Sequence, residues 1–382
     1  MIYMDNAATT RMRPEVLEEM MPYLRDCYSN PSAIYGFAGE AKAAIDKARS
    51  RAAEILGVDS DTIYFTSGGT ESDNWALESA AFSDSEKKHI IVSAIEHHAI
   101  LSTALSLERR GIRFTYIYPG KDGIVDPEKI RNAIRPDTAL VSVMTANNEI
   151  GTIEPVAEIG AIAHEKGVLF HTDAVQAFGQ IPINPEKMNI DLLSASSHKI
   201  YGPKGSGLMY IRKGLKFHAF IHGGHQERDR RAGTENVAAI VGFGKAISMA
   251  ESDMDERIKK ETAIRDHMIE RLLGEIPDSR LNGSRIKRLP NNINVSFNGV
   301  EGESLIILLD MKGVMASSGS ACTAGSIDPS HVLIACGNSY EEAREGLRLT
   351  ISKDTTLEEA DRTVDMVADA VRQLREMSPM YS

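Results

Sequence analysis

A glycine-rich turn between an apolar run and an amphipathic one, Thr66-Ser67-Gly68-Gly69-Thr70-Glu71-Ser72, has the residues to hold an anion. N–H groups at a helix start point outward at the positive end of the helix dipole, and phosphate suits such a place. The same string also makes an ordinary capped turn. Asp173, in Phe170-His171-Thr172-Asp173-Ala174-Val175-Gln176, falls where a second apolar run ends. It can cap the turn that follows, or set a carboxylate against a ring nitrogen. Lys199 follows the next run, in Ser194-Ala195-Ser196-Ser197-His198-Lys199, ahead of Gly202-Pro203-Lys204-Gly205. A loop lysine is ordinarily a solvated charge. Framed by small residues and His198, this one suits a Schiff base whose amine is activated by its surroundings. Ser196 and His198 can add donors to a phosphate.

Pyridoxal phosphate needs all three features: a phosphate site, an amine for its aldehyde, and an anion that keeps its pyridine nitrogen protonated. The charged ring then draws electrons from a substrate carbon. A fourth stretch, Ala316-Ser317-Ser318-Gly319-Ser320-Ala321-Cys322-Thr323-Ala324-Gly325-Ser326, carries a thiol. No apolar period crosses it, which predicts a loop. A free cysteine is usually a small buried hydrophobe, but flanks of Ser, Thr and Gly do not suit a core. A thiol on a loop can attack a bound substrate and carry a group away. Cys27 and Cys336 lack such surroundings and read as structural. His218, His222 and His225 match no standard metal-ligand spacing.

These residues need a scaffold. Short apolar runs at 62–66, 89–94, 113–117, 139–144, 168–172, 192–196 and 207–211 predict strands. They alternate with helical patterns at 38–56, 71–82, 99–110 and 156–166. That rhythm predicts βαβ units and a mainly parallel sheet, with ligands at the carboxyl ends of its strands. A charged amphipathic pattern at 252–273 predicts a linking helix. Short strands at 293–297 and 347–351 and a final helix at 356–376 predict a smaller α+β domain. The division is a large domain at 15–250, and a small one at 251–382 together with the arm at 1–14. The chain of 382 residues is long enough for two cores. A net charge of −11 argues against general nucleic-acid binding, although Arg228, Arg230 and Arg231 cluster. Three cysteines build no disulfide framework and fit a reducing cytoplasm. Neither a signal peptide nor an apolar run of spanning length is visible, so a soluble cytoplasmic protein that inserts in no membrane is expected.

The strings M-D-N-A-A-T-T, N-P-S-A-I-Y-G, F-T-S-G-G-T-E-S-D-N, A-N-N-E-I-G-T, H-T-D-A-V-Q, S-S-H-K-I-Y-G-P-K-G, G-G-H-Q-E-R, R-A-G-T-E-N and S-S-G-S-A-C-T-A-G-S are similar, in kind and order, to those of the cysteine desulfurases of the NifS/IscS type. The resemblance covers nearly the whole chain. It implies an aminotransferase-like type I fold and conversion of L-cysteine to L-alanine, with sulfur held on Cys322 as a persulfide. The sulfur then passes to an acceptor such as an iron–sulfur scaffold protein. By position, Lys199 would hold pyridoxal 5'-phosphate as an imine and carry protons. Asp173 would pair with the ring nitrogen, and Gln176 and Asn148 with the ring oxygen, Asn148 also touching substrate. Gly69, Thr70, Ser196 and His198 would bind the phosphate. His97 would stack on the ring and move protons. Thr234 would reach the phosphate of a neighbouring subunit, which implies a homodimer. Arg348 would grip the substrate carboxylate with its fork. The resemblance leaves open whether Cys322 also serves as a transient iron–sulfur cluster ligand. The sequence departs from the pattern at Gly69, where alanine is usual, and around Arg348, at Ala343-Arg344-Glu345-Gly346 and Lys353-Asp354. A selenocysteine lyase or β-lyase on the same fold stays as an alternative.

Overall fold

The computed structural model describes residues 1–318 and 328–377. Seven strands form one sheet in the order Ile63–Thr66, Gly207–Ile211, Leu192–Ser196, Leu169–Asp173, Thr138–Ser142, His89–Ser93, Arg113–Ile117. The last five pair in parallel, and Gly207–Ile211 runs antiparallel to both its neighbours. All seven predicted strands form, with ends that move by a residue or two. Side chains alternate across the sheet because the strand period is two. Ile91, Val141, Phe170, Leu193 and Leu208 enter one core, and Ile90, Val92, Leu140, Leu192 and Met209 enter the other with Trp75, Leu77 and Leu107. Burial on both faces is why these strands read as unbroken apolar runs.

Helix Gly36–Leu56 stops at Gly57, whose φ of +66° closes a left-handed cap. It packs against a helix at Val237–Ser252. There a Cβ on Gly244 would sit 2.7 Å from the Ala48 Cβ, so only glycine lets the two helices cross this closely. The predicted linking helix at 252–273 begins later than expected. The chain turns at Asp253, between Val237–Ser252 and Met254–Glu275.

A second sheet has Asn292–Phe297 between Gly346–Thr350 and Ser279–Leu281, all antiparallel. Helices Met254–Glu275, Gly302–Met311 and Leu357–Met377 surround a separate core that includes Met268, Ile293, Phe297, Leu309, Leu349 and Val367. Ile2 and Met4 belong to this core, and Ile2–Tyr3 pairs in parallel with Val314–Met315. No helix among the described residues is long and apolar enough to cross a membrane.

Candidate active site

Asp173 and Ser196 end two neighbouring parallel strands, and Lys199 follows in a short turn at Ser197–Lys199. His97 lies just beyond His89–Ser93, and Asn148 beyond Thr138–Ser142. All of these converge on one cavity of about 310 Å³, which Gly69, Thr70, Gln176, His198 and Arg348 also line. Arg348 therefore reaches the site despite its unusual flanks. Thr234 is exposed and is not among the lining residues.

The turn before helix Gly69–Ser83 is closely packed. A Cβ on Gly69 would lie 2.5 Å from Val175 Cγ2, so glycine leaves room for the valine. The Ser67 N–H donates to Glu71 Oε2 at 2.8 Å, and the Arg231 guanidinium spans both Glu71 oxygens at 2.9 and 3.1 Å. Gly69 and Thr70, the first residues of this helix, thereby line the cavity with the helix start, a place that suits a phosphate.

Lys199 Nζ donates to the carbonyls of Ala7 and Ala8, at 2.6 and 2.8 Å. Gln176 Nε2 donates to Ala7 O at 3.0 Å, and His198 Nδ1 lies 3.1 Å from Thr9 Oγ1. The N-terminal arm is thus a wall of the site, which the sequence pattern does not reveal. His97 Nδ1 accepts the Ala99 N–H at 3.1 Å, capping helix His98–Glu108 and placing any ring proton on Nε2. Burial, then the nearby Lys199, push the His97 pKa down to about 4, so the ring is a neutral imidazole at ordinary pH. Burial and the neighbouring lysines lower His198 in the same way, also to about 4.

Asn148 owes its place to Asn147. The Asn147 side-chain oxygen takes the N–H groups of Glu149 and Ile150 at 2.9 and 3.0 Å, and its amide donates to Ile95 O at 2.9 Å. Sequence reading singled out only the second of these two asparagines.

The floor beneath Asp173 is polar and buried. Asp173 Oδ1 accepts the Val175 N–H at 2.8 Å. Burial pushes its pKa up to about 6, opposed by that N–H and by Lys199. Asp73, on helix Gly69–Ser83, also lines the cavity. Its Oδ1 has no hydrogen-bond partner among the described residues and lies 3.7 Å from His171 Nε2. His171 is held by Ser142 Oγ at 2.8 Å and Ser194 Oγ at 3.0 Å, and burial pushes its pKa down to about 3. Burial, then the neighbouring Asp173, push the Asp73 carboxyl well above the usual range. Of two close buried carboxyls one ionises first; here that is Asp173, which has the N–H and Lys199 to favour its anion.

A carboxyl with a raised folded pKa supports the fold fully below its unfolded value of about 3.9, and loses that support as pH rises through the folded value. Asp73→Asn removes this loss. In urea unfolding of the cofactor-free chain, the variant's stability relative to its parent should climb as pH rises from about 4 toward neutral, by at most about 1.4 kcal/mol per pH unit. A constant offset across that range counts against an abnormal Asp73.

Cys322 lies outside the described residues. The flanking chain is fixed beside the site on both sides. Ser317 exchanges backbone hydrogen bonds with Arg348 at 3.2 and 2.7 Å, while Ser330 Oγ donates to Glu149 Oε2 at 2.5 Å and His331 Nε2 meets Glu96 O at 3.0 Å. The Cys27 thiol donates to Glu40 at 3.2 Å, and that carboxylate raises its pKa. Burial pushes the Cys336 thiol up to about 12. Neither sulfur is disposed to act as a thiolate.

The model of the aminotransferase class-V family matches residues 2–363. The chain is 53% identical over 380 residues to a cysteine desulfurase IscS of Methanosarcina thermophila, an alignment that covers 99% of this chain and 94% of the relative. It is 50% identical over 379 residues to a cysteine desulfurase IscS of Dictyoglomus turgidum, covering 99% and 96%. Among solved structures it is similar to a NifS-like protein, with a TM-score of 0.91 and 37% identity over 97% of this chain and 99% of that one. It is similar also to SspA in complex with cysteine, with a TM-score of 0.82 and 37% identity over 93% and 100%.

Proposed function

The chain belongs to the cysteine desulfurases of the class-V aminotransferase family, and from that premise we propose that it converts L-cysteine to L-alanine and hands the sulfur to Cys322. The observation that carries this reading is the convergence of Lys199, Asp173, His97, Asn148, Gln176 and Arg348 on one cavity. At about 310 Å³ the space is of small-molecule size. Its donor set fits pyridoxal phosphate: an anion site at a helix start, a buried carboxylate, and an amine between them.

When bound to Lys199, that cofactor supplies an electron sink for the substrate α-carbon. Gly69, Thr70, Ser196 and His198 would hold the phosphate. Asp173 would pair with the ring nitrogen, and Gln176 and Asn148 with the ring oxygen. His97 would stack on the ring, and its neutral imidazole would accept and return protons. Arg348 takes the substrate carboxylate, for which its buried Nε has no partner among the described residues. Lys199 would take the proton from the substrate α-carbon and later return one there.

Cys322 attacks the substrate sulfur as a thiolate. One sulfur–sulfur bond forms as the carbon–sulfur bond breaks, and the electron pair stays with the carbon fragment, which takes up protons to become alanine. One cysteine and one thiol therefore give one alanine and one persulfide, with no external oxidant. The persulfide then serves an acceptor, for which we propose a scaffold of iron–sulfur cluster assembly. A transient cluster-ligand role for Cys322 would be met at the same handover.

We propose a homodimer with shared sites. Leu17, Met21 and Leu24 on helix Pro14–Arg25, and Tyr28, Ile34, Tyr35 and Phe37 soon after it, are all exposed, with Tyr28 packed edge-on to Phe37, and exposed apolar clusters mark contact surfaces. Thr234 is exposed too, three residues beyond Arg231, which pairs with Glu71, and we assign it to a partner's phosphate. Mixing Thr234→Ala chains with Lys199→Ala chains yields hybrids in which one site carries both lesions and the other neither. Activity should reappear on mixing, toward about a quarter of wild type when random pairing makes half the dimers hybrid and half their sites intact. Hybrids that form and stay inactive contradict shared sites.

A further inference from the structure

The motif Met4-Asp5-Asn6-Ala7-Ala8-Thr9-Thr10 has no role in the chemistry described above, yet the structure lays it along the strand that carries Arg348. The Thr350 N–H donates to Met4 O at 2.6 Å, the Asn6 side chain donates to Thr350 O at 2.8 Å, and the Ala7 N–H donates to Thr350 Oγ1 at 2.8 Å. Asp5 itself forms a bridge with Thr350. Its backbone is therefore fixed to the strand two residues from Arg348. The Asp5 carboxylate then accepts from Arg348 Nη2 at 2.9 Å, while Nη1 donates to Asn148 O at 3.1 Å. The Arg348 side chain is only 2% exposed and that of Asp5 20%.

A guanidinium carries five N–H donors in a planar fork. Here Nη1 is held by the Asn148 carbonyl and Nη2 by Asp5, and Nε, buried, has no partner among the described residues. We propose that Asp5 is a positioning residue for substrate: it fixes the Arg348 guanidinium so that the donors left over meet the carboxylate of L-cysteine. This rests on the reading of Arg348 as the carboxylate-binding residue. An unheld arginine has many rotamers to lose on binding, and a buried one without an anion is costly. Asp5 supplies both orientation and charge balance before substrate arrives. The backbone clamp keeps it there afterwards, so it does not have to be displaced. Beyond Asp5, Ala7 and Ala8 receive Lys199 Nζ, and Thr10 Oγ1 donates to His198 O at 2.9 Å. One short arm thus sets both the carboxylate site and the lysine.

The test is steady-state turnover of L-cysteine by the cofactor-loaded protein, with KM and kcat separated. Asp5→Ala should raise KM by about tenfold or more and leave kcat within about threefold. Asp5→Asn, whose amide oxygen still accepts from Nη2, should recover most of the loss. Asp5→Glu, which shifts the carboxylate by a methylene, should raise KM, and it serves if the alanine variant does not fold. Inhibition by L-alanine should weaken in step with KM, while inhibition by cysteamine, which lacks the carboxylate, should not change. The visible absorbance of the loaded protein should stay at wild type. An unchanged or lowered KM in Asp5→Ala and Asp5→Glu overturns the proposal, a lowered one showing Asp5 as a competitor for Arg348. Arg348→Ala is the control. If its KM is also unchanged, it is the carboxylate reading of Arg348 that has failed; if its KM rises alone, only the role of Asp5 has.

Discussion

Lys199→Ala should lower alanine formation by about a thousandfold or more, since the variant loses both the covalent amine and the proton carrier. Lys199 is the one lysine lining the cavity among the described residues. Its Nζ is held on the carbonyls of Ala7 and Ala8, and its chain position follows directly from the strand Leu192–Ser196. The cofactor should still bind, because the helix start, Asp173, Gln176 and His198 do not depend on this side chain. Soluble amines added in excess should restore part of the rate. Borohydride treatment of the wild type, followed by peptide mapping, should label Lys199. Label on Lys204 instead, or a Lys199→Ala protein with near wild-type turnover, refutes the assignment.

Cys322→Ser should abolish sulfur transfer while leaving earlier steps intact. The residues proposed to hold the cofactor lie on the seven-stranded sheet and its turns, whereas Cys322 belongs to the stretch between Ser317 and Ser330, so cofactor colour should persist. L-Cysteine should still perturb the spectrum, because its amine meets only Lys199 and the ring. A serine hydroxyl is scarcely ionised near neutral pH and is a poor nucleophile toward sulfur, whereas a thiol has a useful anionic fraction. Alanine should fall to background, about a hundredfold or more below wild type. Cys27→Ser and Cys336→Ser should each keep near wild-type rates, since both thiol pKa values are raised and neither residue lines the cavity. A Cys322→Ser protein that still makes alanine rapidly would point to a β-lyase.

The sheet was legible in the sequence because strands buried on both faces are written as unbroken apolar runs. Asp173, Ser196 and Lys199 were findable for the same reason, since the catalytic edge of a parallel sheet lies where its runs end. Helix Val237–Ser252 was harder to see. Gly242 and Gly244 weaken its pattern, and they are there because Met20 and Ala48 press against it. Asp5 could not be placed from sequence, because its partner Arg348 is 343 residues away and the link runs through a bridge to Thr350. Asp73 reads as an ordinary polar helix residue until the helix is set over the strand bearing His171 and Asp173. Asn147 and Asn148 look alike in A-N-N-E; only the fold shows one bracing the loop and the other facing the cavity.

The central claim is that sulfur leaves L-cysteine by attack of Cys322, with alanine as the carbon product. A single-turnover reaction tests it most directly: loaded protein in excess over L-cysteine, no reductant, acid quench, then alanine quantified beside persulfide mapped by mass spectrometry. One alanine for each persulfide on Cys322, with no free sulfide, is the result predicted here. Alanine or pyruvate released together with free sulfide, and Cys322 unmodified, would contradict it.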